Sequence, residues 1–254
     1  MTLTVQNVRN TGMLLVSLFI MATTTLVEAA WPTDKHGVPL DDPSVFSDPQ
    51  PLVVYKLKKL TEQLGENAER IRKDKSIAYR ISDELIAPHI DFPRVTRLIV
   101  GKHWRQANPE QRKQLVKEVQ ELLIRSYVTA MVSYIDEIVA GSKDTRYYPS
   151  RYREGDKKAS VRASIPLEGG QTADIQYQLY YRDEWKIYDI RIEGISLAMT
   201  YRTSFDERIK KMGLDGLITQ LAERNRKGEV ELPDAIAPED NSSTAAILPS
   251  AAVH

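Results

Sequence analysis

KASVRASIPLEGGQTADIQYQLYYRDEWKIYDIRI, residues 158–192, alternates apolar and polar side chains with a period of two. Ala159, Val161, Ala163, Ile165 and Leu167 fall on one face, and Ser160, Arg162 and Ser164 on the other. A strand turns successive side chains to opposite faces, so the spacing predicts a half-buried strand. Gly169-Gly170 supplies a two-residue hairpin turn. The return strand buries Ala173, Ile175, Tyr177, Leu179 and Tyr181 against Asp174, Gln176, Gln178 and Tyr180. Asp183-Glu184 makes the next turn, before a further strand over Trp185–Ile192. Upstream, residues 144–154 read as a fourth strand at an edge, where Arg and Pro discourage pairing with a foreign chain.

Outside this meander the period becomes helical. Leu57, Leu60 and Leu64 share one face, and Ile77, Ile81 and Leu85 follow, with Pro88 ending that segment. Phe92 to Trp104 reads as a third, shorter helix. Asn108 and Pro109 then open a long one, as cap and first helical residue. Its stripe of Leu115, Val119, Leu122, Leu123, Tyr127, Ala130, Met131, Tyr134 and Ile138 steps by three and four, and Gly141 is placed to close it. Residues 195–211 and 214–224 return to helix. The pattern predicts an α+β fold: one curved antiparallel sheet of about four strands with helices packed on one face.

The two ends differ from this core. Arg9 precedes an apolar run of fifteen residues, Met13 to Val27. That is short of the roughly 20 residues that cross a bilayer, and with Val27-Glu28-Ala29 behind it the run reads as a signal peptide over 1–29. An uncleaved membrane anchor is the alternative. Residues 30–51, dense in Pro and Asp, read as an exposed leader. Residues 52–228 form the α+β domain, and residues 229–254 an acidic, Ser- and Ala-rich disordered tail. The chain has 254 residues and no cysteine, which excludes disulfide staples, thiol catalysis and thiolate metal sites. About 225 residues remain after such cleavage, enough for a core without staples.

The formal charge of zero hides an asymmetry. Arg9 and Glu28 leave with the first segment, and the tail holds five acids and no base. Residues 30–228 therefore carry 34 Lys and Arg against 29 Asp and Glu. A surplus of five suits anionic head groups or acidic partner surfaces. It falls short of a nucleic-acid signature, and no nucleic-acid partner is expected.

The catalytic inventory is poor. The four histidines, His36, His89, His103 and His254, include no pair at helical metal spacing, and no HExxH, GxSxG, GxGxxG or GxxxxGK occurs. No catalytic residue, metal or cofactor is expected. The strands do place the small residues Ala159, Ala163 and Ala173 on the face that meets the helices. Interiors fill to a density near 0.75, so alanines there either meet larger helix side chains or leave apolar volume for a ligand. Met131, Tyr134 and Ile138 are expected to face that volume, Met adapting well to irregular ligands. On pattern alone the filled core is the plainer alternative.

Two blocks then resemble the MlaC family, also called the toluene-tolerance family. Within residues 99–136, Gly101, Lys102, Trp104, Arg105, Pro109, Glu110, Gln111, Arg112 and Tyr127 match its Gly-Lys-x-Trp-Arg, Pro-Glu-Gln-Arg and Tyr elements. Within residues 185–205, Trp185, Asp189, Glu193, Gly194, Ser196, Leu197, Tyr201, Arg202 and Phe205 fill a second pattern. The likeness spans roughly residues 50 to 225. It implies a periplasmic, non-enzymatic lipid shuttle with an NTF2-like sheet-and-helix core. Phospholipid would be cargo, held by its tails inside, with the head group outside. The implied partners are an inner-membrane ABC transporter complex and an outer-membrane lipoprotein complex, and a monomer is expected.

The expected tail-lining residues are Met131, Tyr134, Ile138, Val161, Ala163, Ile165, Ile175, Tyr177 and Leu179. Lys102, Arg105, Arg146 and Arg151 are the expected head-group or docking residues. The alternatives are an NTF2-like periplasmic enzyme acting on a small hydrophobic substrate, and a ligand-free interaction module.

Overall fold

The computed structural model describes residues 48–153, 155–166 and 172–230. The expected signal peptide, nearly all of the expected leader, the expected Gly169-Gly170 turn with Leu167, and nearly all of the acidic tail lie outside the described residues.

Helix α1 (Pro49–Lys73) begins inside the stretch read as leader, because Asp48 caps it: its carboxylate accepts from Gln50 N at 2.9 Å, and Pro49 supplies the first-turn φ. Helix α2 (Ser76–Leu85) runs into a 3-10 turn at Ala87–His89, where Pro88 removes a donor. Helix α3 (Phe92–Val100) is capped by Asp91, whose carboxylate accepts from Arg94 N at 3.0 Å. It stops short of the predicted Trp104, because Gly101 takes φ +62° and residues 101–105 wind as a 3-10 turn. Helix α4 (Pro109–Ser133) opens with a full capping box between Asn108 and Gln111.

The predicted single helix through Ile138 is two. The backbone breaks at Tyr134, and α5 (Ile135–Ser142) leaves on a new axis. That axis carries Val139 against Gly65 of α1, and Gly141 against Ile165, whose Cγ2 would lie 3.2 Å from a Cβ added there.

The sheet is an antiparallel meander in the order β1 (Arg146–Arg151), β2 (Lys158–Pro166), β3 (Thr172–Tyr181), β4 (Trp185–Ile192) and β5 (Ile195–Ser196). The register sets Val161 opposite Tyr177 and Ala163 opposite Ile175. Across β3–β4, Tyr177 pairs with Ile190 and Leu179 with Ile187, so Tyr188 is the extra residue of a bulge. Tyr181, expected inward, is 40% exposed at the strand end and meets Trp185 edge-on. Glu193 and Gly194, both at positive φ, turn the chain into β5, which occupies the first two positions of the predicted helix 195–211. Helix α6 (Leu197–Thr200) and helix α7 (Arg202–Lys227) follow, and α7 kinks at Gly213 (φ 74°, ψ 178°), between the two predicted helices.

Three apolar clusters hold these elements. One joins α3, α4, α6 and α7 around Tyr201 and Phe205. A second joins α1, α2, α4 and α5. The third is the inner face of the sheet, covered by Leu52 and Val53 of α1. Helix α1 contributes to both of the latter two and so joins the sheet to the helices.

Candidate functional site

The helix over the sheet is α1, and this changes the site expected from sequence. Val161, Ala163, Tyr177 and Leu179 are buried together on the inner face, with Ile175 packed beside them. Ile165 sits at the other end of β2, against α5. Met131 belongs instead to the helical cluster with Leu60, Leu64 and Val128. Tyr134 lies half-buried at the α4–α5 break and Ile138 half-buried in α5, and neither is in the sheet cluster. The long helix packs on α7, α3 and α2, and the inner-face cluster of the sheet is covered by Leu52 and Val53 of α1.

An enclosed apolar cavity of about 50 Å³ lies where α1, the turn after α2 and β3–β4 converge. Helix α1 contributes Leu52, Val53, Lys56 and Leu57, the turn contributes Ile86, His89 and Ile90, and the sheet contributes Tyr177, Ile187 and Ile190. Of the residues expected to line a tail cavity, Tyr177 alone lines this one. Ala163 is fully packed, at 1% exposure.

Immediately outside lies a groove of about 690 Å³ between α2, α4 and β4, with Tyr79, Asp83, Phe92, Glu121, Arg125 and Lys186 among its walls. Ile90 lines both spaces. It extends the sheet by a parallel bridge to Ile187, and Asp91 N donates to Ile187 O at 2.8 Å. Arg94, lying 3.5 Å over the Tyr180 ring and bonded to the Asp91 carboxylate, holds the same segment to the outer face of the sheet.

Charged groups gather around His89. His89 is 8% exposed, and its Nδ1 is buried without a hydrogen-bond partner among the described residues. Burial, with Lys56 adding to it, pushes its imidazole down to about 4, so the ring is neutral at neutral pH. Burial also lowers the Lys56 ammonium, against the pull of Glu184. Lys186 Nζ reaches Glu184 at 3.1 Å. Among the described residues no group of three or more His, Asp or Glu is placed to hold a metal ion, and no helix is long and apolar enough to cross a membrane.

The expected head-group or docking residues lie elsewhere. Lys102 pairs with Asp206 at 3.3 Å on the turn after α3, where Arg105 is exposed. Arg146 and Arg151 begin and end β1. None of the four lines the cavity or the groove.

The residues that carried the family resemblance turn out to hold the frame. Arg112 Nε donates to Trp104 O at 3.2 Å and its guanidinium lies over the Trp104 ring. Buried Asp189 accepts from Ser196 Oγ at 2.8 Å and Ala198 N at 3.4 Å, fixing β5 and α6 to β4. Asp206 takes bonds from Lys210, His103 and Lys102, which hold its carboxyl far below the usual range.

The cavity residues missed by the sequence reading did leave a trace. Leu52, Val53, Lys56 and Leu57 repeat at i, i+1, i+4 and i+5, an apolar pair renewed one turn later with a lysine in its stripe. Ile187 and Ile190, three apart, break the period of two and mark the bulge that turns both inward.

Fold and cavity together define a class: an antiparallel sheet and surrounding helices that enclose a small apolar space beside a polar groove. The chain belongs to the MlaC family, whose profile, described as MlaC protein, matches residues 56–223. It is 24% identical over 160 residues to the toluene tolerance protein ttg2D of Pseudomonas putida, covering 61% of this chain and 71% of that one. It is 20% identical over 179 residues to the intermembrane phospholipid transport system binding protein MlaC of Haemophilus influenzae, covering 69% and 81%. Among solved structures it matches a phospholipid-binding protein from Ralstonia solanacearum in complex with a phospholipid. There the TM-score is 0.58 and the identity 27%, over 72% of this chain and 99% of that one.

Proposed function

We propose that this protein is a periplasmic carrier that binds phospholipid by its acyl tails and moves it between an outer-membrane lipoprotein complex and an inner-membrane ABC transporter complex. The observation that carries the reading is the apolar cavity between α1 and β3–β4, with Ile90 as the shared wall between it and a groove large enough for a head group. The phospholipid-bound Ralstonia relative and the named transport role of the Haemophilus relative support it. Residues 1–29 act as the export signal, and the intact mass of the periplasmic form checks their removal.

The driving force is burial of methylenes, each contributing about 0.8 kcal/mol. A space of about 50 Å³ is far below the roughly 300–1,000 Å³ of an ordinary ligand pocket. Loading therefore requires α1 and the turn at residues 86–90 to part from the sheet. Unassisted release would expose the same methylenes to water, so a docking partner that holds the two apart is part of the mechanism. Lys102, Arg105, Arg146 and Arg151 serve that docking rather than tail binding.

Organic extraction of the purified protein followed by mass spectrometry tests the reading. Phospholipid in amounts comparable to the protein is expected. An extract without lipid overturns it, and a co-purified small substrate would favour an enzyme instead.

A further inference from the structure

Helix α7 opens on an arginine that is held in place and left without a carboxylate among the described residues. Arg202 lies against Gly101, where a Cβ added to the glycine would fall 2.8 Å from Nη2, 2.9 Å from Nε and 3.1 Å from Cζ. Its Nη1 also meets Met199 Sδ at 3.5 Å. Two contacts thus direct an exposed guanidinium that no acid neutralises. The acid one turn along, Asp206, is already taken by Lys102 at 3.3 Å, His103 at 2.7 Å and Lys210 at 2.6 Å. Beside the arginine the surface is apolar. Met199 is 40% exposed, and Ile195, four residues earlier in β5, is 42% exposed. The α6 turn that presents Met199 is tied to β4: Ser196 Oγ accepts from Met199 N at 3.1 Å and donates to buried Asp189 at 2.8 Å.

A guanidinium fork matches a carboxylate, and an arginine set among apolar side chains is the composition of a binding hot spot. We infer that the β5–α6 corner, with Gly101 and Arg202, is a docking surface for a protein partner that presents a carboxylate beside an apolar side chain. This rests on the carrier reading above, which requires a partner, and gives that partner a place and a chemistry. Arg202 takes the carboxylate, while Met199 and Ile195 take the apolar group. Gly101, at φ +62°, keeps the shelf open, because a side chain there would displace the guanidinium. An anionic membrane fits this corner less well. Lys102 and Lys210 both pair with Asp206, and Glu193 and Glu207 stand exposed in the flanking chain. The corner thus mixes both signs, whereas membrane attraction sums over a cluster of basic residues.

The test measures binding of the full-length protein to the purified outer-membrane lipoprotein complex, to the inner-membrane ABC transporter complex, and to phosphatidylglycerol vesicles. Arg202→Glu and Met199→Asp should each weaken binding to at least one complex by about tenfold or more, as loss of a hot-spot side chain does. Arg202→Lys, which keeps the charge without the fork, should fall between. Lys143→Glu makes the same charge change on an exposed residue at the end of α5, and should alter affinity by no more than about threefold. A variant that does not melt cooperatively is replaced by Arg202→Gln, read the same way. Wild type that binds neither complex, or affinity for both that survives Arg202→Glu and Met199→Asp, overturns the surface. A loss confined to the vesicles overturns it in favour of a membrane contact, and a loss of self-association in sedimentation in favour of a contact between copies. Lipid extracted from the wild type reports separately on the carrier: protein without lipid fails that reading and leaves the affinity comparison standing.

Discussion

Asp48 Oδ1 accepts from Ser150 Oγ at 2.9 Å while also capping α1 through Gln50 N at 2.9 Å. One carboxylate oxygen thus starts the helix that covers the sheet and ties it to the edge strand β1. Ser150→Ala should lower stability by about 0.5–1.5 kcal/mol for the lost bond. Asp48→Ala should cost a further 0.5–2 kcal/mol or so for the cap. Thermal melts should rank wild type, Ser150→Ala and Asp48→Ala in that order. If α1 parts from the sheet during loading, Ser150→Ala should also speed transfer of a fluorescent phospholipid between vesicles.

Two added indoles should separate cavity from packed core. Leu57 is half-buried on the cavity wall, whereas Ala163 is packed at 1% exposure and does not touch the cavity. Leu57→Trp should fold, with a cooperative melt and unchanged circular dichroism, and carry much less lipid. Ala163→Trp should destabilise outright, since overpacking by even small groups costs about 1–3 kcal/mol. The reverse pattern would move the tail site onto β2.

His89 gives the fold an acid limit. Its folded value of about 4 lies below the usual 6.5 because of burial first and Lys56 second. Above 6.5 neither folded nor unfolded chain binds the proton. Between 6.5 and 4 only the unfolded chain does, so stability present at neutral pH is lost as pH falls through that window, by about 3 kcal/mol at most. Urea unfolding at pH 7 and pH 5 measures this. His89→Leu should flatten that difference and be no less stable at pH 7, since it also removes an unpaired buried nitrogen.

Gly213 holds φ 74° and ψ 178° inside α7, a conformation nearly closed to residues with a Cβ, although a Cβ there would meet nothing within 4 Å. Gly213→Ala should therefore cost about 1–3 kcal/mol through backbone strain alone. Gly228 ends the same helix in the left-handed region (φ 73°, ψ 19°), which asparagine tolerates, so Gly228→Asn should cost less. Equal costs in denaturant unfolding would rule out strain as the cause.

Much of this architecture can be read locally. Alternation over 158–192 determined three strands and the inward faces of β2 and of β3 up to Leu179, since a pleated backbone has a period of two and little freedom within it. Asn108-Pro109 determined where α4 begins, because its cap bonds are made within four residues. Breaks in helices were harder to read. The stripe through Tyr134 and Ile138 continues at helical spacing, yet the axis turns there because α5 packs on both α1 and β2.

Local spacing was enough for the α+β class, the meander, the starts of α3 and α4 and, through Trp104, Arg112, Asp189 and Ser196, the family, whose marks are bonds of the frame. Which helix covers the sheet was settled by packing across the whole fold. Apolar stripes on α1 and α4 are equally able to bury a strand face, and local spacing carries no information about which one arrives there. That choice put Leu52, Val53, Lys56 and Leu57 over Tyr177 and sent Met131 into another cluster. It also brought His89 and Lys186 to one opening from positions 97 residues apart in the chain. Side chains so distant meet only when the whole fold closes, because burial energy depends on contacts that local sequence does not specify.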